Sequence, residues 1–455
     1  MNVDSFNDST SEDTVKAVVQ WEYPRADVAN DGMNNDGDGL TDESGETDPD
    51  IGYSFSQAYV VKTNDPSNEW VVIFGNGYNS DNGSAVLYVL DLNGVIVRKL
   101  NTGVTGGNGL STPALIDVNN DRKLDYVYVG DLKGNMWKFD FTADTAANWA
   151  VAFNDGTDPK PLFAAGVSQP ITAKPDIMRH CGYDKSGYMV IFGTGKYLHN
   201  DDRINTDQQT IYGIWDYGDD DDDDEYVGSS LDHSTGQIGS PGADIAGTYL
   251  LKQTVVDIRD ITSYGTYRTF SDEAANWAVA TDSDTDQKPD PVSGSDVGWF
   301  IDFPNAAPYE GERVFKTVQI RDGKAFVISF FPDSSPCSGG GNSWFYIIDA
   351  CDGGRMPDSN AQWEIGVAEG QQTGVNDSSG NEIITKKNTV VIVEDGNNKL
   401  AAPTGKLFKG TLHEPKIIRK PGTGLERLYM SSSTGVVETE DVPAERRGTL
   451  YWLER

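Results

Sequence analysis

Two strings constrain the fold of this chain more than any others: VIFGNGY at Val72 to Tyr78 and VIFGTGKY at Val190 to Tyr197. Each follows an aromatic-containing run (NEWVV, SGYMV), so both read as one strand-and-turn unit used twice. Two further patterns accompany them. An aromatic strand end closed by Asp and a turn occurs in LYVLDLNG from Leu87, MWKFDF from Met136, IYGIWDYG from Ile211 and FYIIDACDGG from Phe345. A short strand punctuated by proline occurs around Pro113, Pro175 and Pro415, in STPALID, TAKPDIM and HEPKII. Units recurring at spacings of roughly tens of residues are the signature of a propeller or solenoid, in which each unit covers its neighbour's apolar face. The uneven spacing implies blades that carry insertions. AANWAVA, at Ala146 to Ala152 and again at Ala274 to Ala280, fits either a duplicated insertion or chance reuse of a turn-flanking segment.

Composition agrees with an all-β fold. There are 49 Gly, 10 Trp and 20 Tyr among 455 residues, and no apolar-periodic run is long enough for a long helix. A chain of this length folds as one unit in large propellers. The reading is therefore a flexible segment over 1–14 and a single β-propeller domain over 15–455, with acidic loop insertions at 27–50 and 219–246. The second insertion contains DDDDDDE from Asp219 to Glu225, a block of like charge that repels itself and reads as a solvated loop.

Charge excludes one class of partner. Seventy-one acidic residues against 36 basic ones give a net charge of −35, which leaves no dominant basic face to displace the counterions of a nucleic acid. Acid in such excess favours solubility, and part of it suits pairing with divalent cations. The three cysteines, Cys181, Cys337 and Cys351, form neither a CxxC pair nor a haem motif. Cys337 and Cys351 flank the strand-like SWFYIID, so a local bridge between them with Cys181 left free is one expectation in an oxidising compartment, although spacing alone does not fix connectivity. No segment reads as a signal peptide or a transmembrane helix.

Two acidic loops carry the chemistry. Within LSTPALIDVNNDRKLDYVYVGDLKGNMWKFDF, from Leu110 to Phe141, oxygens alternate at Asp117, Asn119, Asp121, the Lys123 backbone carbonyl and Asp125. That spacing wraps a short loop around a hard cation needing six to eight oxygen ligands. Arg122 stands where glycine would turn a calcium loop, and Tyr128 where an EF-hand places its bidentate Glu. The flanks PALID and DYVYVGD are β-like, so a helix-flanked EF-hand is excluded and a calcium loop between strands is expected. Asn34, Asp36, Asp38, the Leu40 carbonyl and Asp42 repeat the spacing, with Gly39 at the sharp-turn position. This second loop reads as a further calcium site, completed by Glu43 or Glu46.

Catalytic constellations are not apparent. The histidines, His180, His199, His233 and His413, are scattered without HExxH. FGTGKYL from Phe192 lacks the full phosphate-loop pattern, and no GxSxG occurs. The expectation is a protein that is not an enzyme.

Taken in order, the motifs resemble the C-terminal domain of the PilC/PilY family of type IV pilus biogenesis factors and tip adhesins. The resemblance runs from FGNGYNS at Phe74 through AVLYVLDL, the Leu110 to Phe141 stretch, QPITAKP, GYMVIFGTGKYL, IYGIWDYG, GWFIDFP and PCSGGGNSWFYIIDACDGGR to the closing RRGTLYWLER. It implies a modified β-propeller of seven blades, similar in shape to quinoprotein propellers. It also implies that Asp117, Asn119, Asp121 and Asp125 form a calcium loop that balances pilus extension against retraction. The partners implied are minor pilins, at the tip of an extracellular pilus that supports adhesion and twitching motility. No DxSxS-type metal motif or RGD sequence is present, so host attachment through those elements does not carry over. Two alternatives from other classes are a propeller dehydrogenase using pyrroloquinoline quinone, for which the usual vicinal Cys-Cys is missing, and a general extracellular binding propeller.

Overall fold

The computed structural model describes residues 23, 48–182, 185–217, 226–242, 245–261, 265–280, 290–333, 340–356, 370, 372–376, 380–384, 389–394, 397–420 and 425–443. The 1–14 segment, the Asn34 to Asp42 loop, the 219–225 acidic run and Cys337 lie outside these residues. The chain divides into two compact units, residues 1–127 with 139–151 and residues 128–138 with 152–455.

The three sequence patterns prove to be three successive strand positions. In the first unit an antiparallel meander runs through β1 (Tyr59–Lys62), β2 (Trp70–Gly75), β3 (Val86–Asp91) and β4 (Ile96–Asn101). β5 (Ala114–Ile116), β6 (Tyr126–Gly130) and β7 (Asn135–Asp140) follow in the same order, and β8 (Ala150–Val151) pairs with the end of β7. In the second unit the sequence Asp176–Arg179, Tyr188–Gly193, Thr210–Asp216 repeats the arrangement, and so does Gln319–Arg321, Lys324–Pro332, Gly341–Asp349. The proline-punctuated segments form strands that begin their sheets, at Ala114–Ile116, Asp176–Arg179 and Lys416–Lys420. An edge position tolerates the missing amide of a preceding proline. VIFG marks second strands, and the aromatic strand ending in Asp marks third strands.

The recurring glycine of VIFG has a steric cause. A Cβ on Gly75 would lie 2.2 Å from the Ser111 carbonyl oxygen, and one on Gly193 would lie 2.4 Å from the Val314 Cβ. Third strands are buried along almost their whole length; Thr210–Asp216 is buried at every position. Burial of both faces is what a sheet covered on both sides requires, and explains why these strands read as continuous apolar runs rather than alternating ones.

Spacing is irregular because the fourth strand comes from variable distances along the chain. β4 follows β3 directly, whereas Thr210–Asp216 pairs with Asp296–Asp302 and Gly341–Asp349 with Gly405–Lys409. Both AANWAVA copies fall in this slot. The first forms a 3-10 turn at Ala146–Asn148 leading into β8. The second contributes only an isolated bridge, Val279 with Pro291. Of the 219–246 stretch, read from sequence as a loop insertion, Gly228–Leu231 and Ile238–Pro241 instead pair as a hairpin that joins Phe163–Ala164.

The expected Cys337–Cys351 bridge is corrected. Cys351 is bonded to Cys181, with Cα atoms 6.0 Å apart across a sequence separation of 170. Only the tertiary fold brings Cys181 to Cys351. Closeness in sequence therefore misled. Two buried ion pairs also lie in the second unit. Lys138 meets Asp216 at 3.0 Å, and Arg268 meets Glu312 at 2.8 Å with Tyr346 and Ser329 completing the carboxylate's shell. Burial of such charges is tolerated only with this degree of pairing.

Candidate metal centre

The loop joining β5 to β6 lies wholly within the first unit. Its backbone turns through two left-handed residues, Asn120 at φ 63° and Arg122 at φ 69°. Arg122 thus adopts the conformation for which calcium loops favour glycine, so the sharp turn is present although the glycine is not.

The loop's amides converge on its own side-chain oxygens. Asp117 Oδ1 accepts from the amides of Asn120 at 2.6 Å and Asp121 at 3.2 Å, and its Oδ2 accepts from Arg122 at 2.7 Å. Asn119 Oδ1 accepts from the Asp121 amide at 2.8 Å, and Asp121 Oδ1 from the Lys123 amide at 2.9 Å. Asp125 is different. It is buried, its amide donates to the Ile116 carbonyl at 3.0 Å, and its Oδ2 accepts from the Val118 amide at 2.8 Å. Asn64, on the turn after β1, brings its side-chain amide to Asp125 Oδ1 at 3.4 Å.

Charge in this loop is unbalanced. Lys123 Nζ, within the loop, stands 3.6 Å from Asp121 on a side chain 36% exposed, where an ion pair contributes little. Burial pushes the Asp125 carboxyl above the ordinary carboxylate range, and the negative Asp117 and Asp121 push the same way, against the Val118 and Asn64 hydrogen bonds. Among the described residues no three His, Cys, Asp or Glu side chains stand close enough together to hold a metal as placed. The structure therefore brings the predicted ligands onto one loop with a calcium-type backbone, while their carboxylates face the loop's own amides. The donor set of three carboxylates, one amide oxygen and one carbonyl nevertheless suits calcium, since each of the three carboxylates keeps at least one oxygen lone pair beyond those its amides engage.

Of the second predicted loop, Asn34, Asp36, Asp38, Leu40 and Asp42 lie outside the described residues. Asp48, just beyond it, is an anchor: buried, it accepts from Tyr88 Oη at 2.8 Å, Lys99 Nζ at 2.7 Å and the Tyr23 hydroxyl. Asn64 was not legible as a site residue. It lies 61 positions from Asp125, and only the tertiary fold joins them.

Antiparallel sheets with third strands buried along most of their length, joined by acidic loops, place the chain in the all-β class. Residues 16–240 match the family model of the PilY1 beta-propeller domain. The type IV pilus biogenesis factor PilY1 of Pseudomonas aeruginosa (strain PAO1) is 33% identical over 370 residues, covering 76% of this chain and 29% of that protein. A PilY1 homolog of Xylella fastidiosa (strain Temecula1) is 30% identical over 347 residues, covering 72% of this chain and 21% of that protein. The crystal structure of the P. aeruginosa PilY1 C-terminal domain superposes with a TM-score of 0.63 at 30% identity, covering 87% of this chain and 72% of that one. The chain belongs to the PilY1 β-propeller family. It spans less than a third of the length of the curated relatives it matches.

Proposed function

We propose that this chain is the calcium-binding propeller module of a type IV pilus assembly and tip protein. In this reading it acts without catalysis, promotes pilus biogenesis together with minor pilins, and works outside the cell at the pilus tip. Calcium held by Asp117, Asn119, Asp121, the Lys123 carbonyl and Asp125 biases the module between pilus extension and retraction, and so sets adhesion and twitching. The observation that carries the metal assignment is Arg122, held in the left-handed turn that a calcium loop needs. The pilus assignment is supported by the type IV pilus biogenesis factors that match over 76% and 72% of the chain.

Calorimetric titration with calcium of the wild-type chain and of Asp121→Ala tests the metal. Saturable binding by the wild type that weakens strongly in the variant is expected; equal affinities overturn the assignment. Deletion of the gene in its host, with electron microscopy of pili, tests the system. Pilus number and twitching should fall, and in a host without a second copy unchanged pili contradict the reading. Turnover in a dye-linked assay after reconstitution with pyrroloquinoline quinone would establish the enzymatic alternative instead.

A further inference from the structure

We propose that Asn64 is the positioning residue of the calcium loop, setting the Asp125 carboxylate from outside the loop; the inference rests on the calcium reading of that loop. The other side-chain ligands are held by neighbours in sequence. Asp117, Asn119 and Asp121 all accept from amides two to five positions along, so their rotamers follow once the loop turns. Asp125, at the end of the loop, is reached by a side chain from another element. The Asn64 amide lies 3.4 Å from Asp125 Oδ1, 3.1 Å from the Leu124 carbonyl oxygen and 3.3 Å from the Phe141 carbonyl oxygen. The Phe141 amide in turn donates to the Asp125 carbonyl at 2.8 Å. One neutral side chain thus clamps the loop's last ligand between the turn after β1 and the end of β7.

Asn64 is itself presented rigidly. Its neighbours Thr63 and Asp65 are both buried. Thr63 Oγ1 donates to the Asn68 carbonyl at 2.7 Å. Asp65 accepts from the Ser67 amide at 2.7 Å, from Asn68 Nδ2 at 2.9 Å and from the Ala146 amide at 2.9 Å. The Leu124 amide donates to the Lys62 carbonyl at 2.8 Å, docking the same turn on the loop a second time. Chemistry favours an amide here over a cation. An N–H on one oxygen fixes the carboxylate's rotation while leaving lone pairs for a metal, and it adds no charge to compete with the metal for the acids.

The test measures calcium affinity by calorimetry and metal-bound water by terbium luminescence lifetimes in light and heavy water, on the whole chain, with thermal unfolding in EDTA alongside. Asn64→Ala is expected to weaken calcium binding about 10- to 100-fold and to raise the water count on terbium, because Asp125 no longer closes the shell. Asn64→Asp, which replaces the donor with a negative oxygen, should weaken binding further. Asn93→Ala, in the β3–β4 turn and bonded to Asp91 rather than to the loop or the Asn64 turn, should leave both readouts at the wild-type value. A merely structural role for Asn64 would lower stability in EDTA without changing affinity or water count, and that result overturns the inference. Should Asn64→Ala fail to fold, the same criteria apply to Asn64→Asp. Wild type and Asp121→Ala binding alike would overturn the calcium reading itself, a separate outcome.

Discussion

Two kinds of aspartate turn sit close together in this sequence and end in opposite electrostatic states. In the hairpin between β6 and β7, the buried Asp131 is a single acid that receives four donors. The Lys133 and Asn135 amides reach Oδ1 at 2.9 Å each, and Asn135 Nδ2 and the Trp137 indole reach Oδ2 at 2.8 and 2.9 Å. Asp91 caps the β3–β4 hairpin in the same way, accepting from Asn93 and Val95. In the Asp117 to Asp125 loop three carboxylates crowd within nine residues, and burial and mutual repulsion raise Asp125. Acidic turns alone therefore do not mark a metal site. What marks one is charge left over after the local amides have been used.

Asp131→Ala strands a buried indole and two backbone amides, and should cost about 3 kcal/mol or more of stability. Chemical denaturation should show the same loss in calcium as in EDTA; a loss confined to calcium would make Asp131 part of a metal site. Asp121→Ala should do the reverse. It should abolish the calcium-linked gain, about 2.7 kcal/mol at a hundredfold excess of calcium over its dissociation constant, and change stability in EDTA little.

Asp349 offers an intermediate case. It accepts from the Cys351 amide at 2.8 Å, yet burial, with Asp352 and Asp272 adding negative charge, pushes its carboxyl up to about 6. Its folded pKa lies above the unfolded one, so the folded chain binds the extra proton and stability falls as pH rises from about 4 to about 6. Asp349→Asn should flatten that fall, by roughly 1 to 2 kcal/mol, in unfolding curves taken across this range. An unchanged slope would show that the carboxyl ionises normally. The smallest effect is expected from Arg122→Gly. Relief of a left-handed side chain favours the folded loop by about 1 kcal/mol, partly offset by the freer unfolded chain. The result should be a slightly higher calcium affinity, and a lower one would mean that the Arg122 side chain itself supports the loop.

Sequence revealed the strand positions well because each has a local cause: a proline at a sheet edge, a glycine against a neighbouring backbone or side chain, an Asp closing an aromatic strand. It did not separate the fates of those Asp residues. Asp91 and Asp349 cap turns, whereas Asp216, with the same strand before it, is buried against Lys138 and the Tyr128 hydroxyl. That difference depends on residues 78 and 88 positions away, beyond any local pattern. The same limit hid Asn64 and misdirected the disulfide. The Asp117 loop stands out in the sequence because its proposed ligands are alternate residues, whereas the Asn64 contact to Asp125 does not, because Asn64 arrives from another strand pair.

The central claim is that leftover charge at Asp117, Asp121 and Asp125 is balanced by calcium while the fully capped Asp131 turn needs none. A crystal of the chain grown with a calcium-mimicking lanthanide, examined by anomalous diffraction, tests it directly. The account predicts an anomalous peak inside the Asp117 to Asp125 loop, bound by those carboxylates, and none at Asp131. A saturated crystal with no peak in the loop, or with its peak at the Asp131 turn, would contradict it.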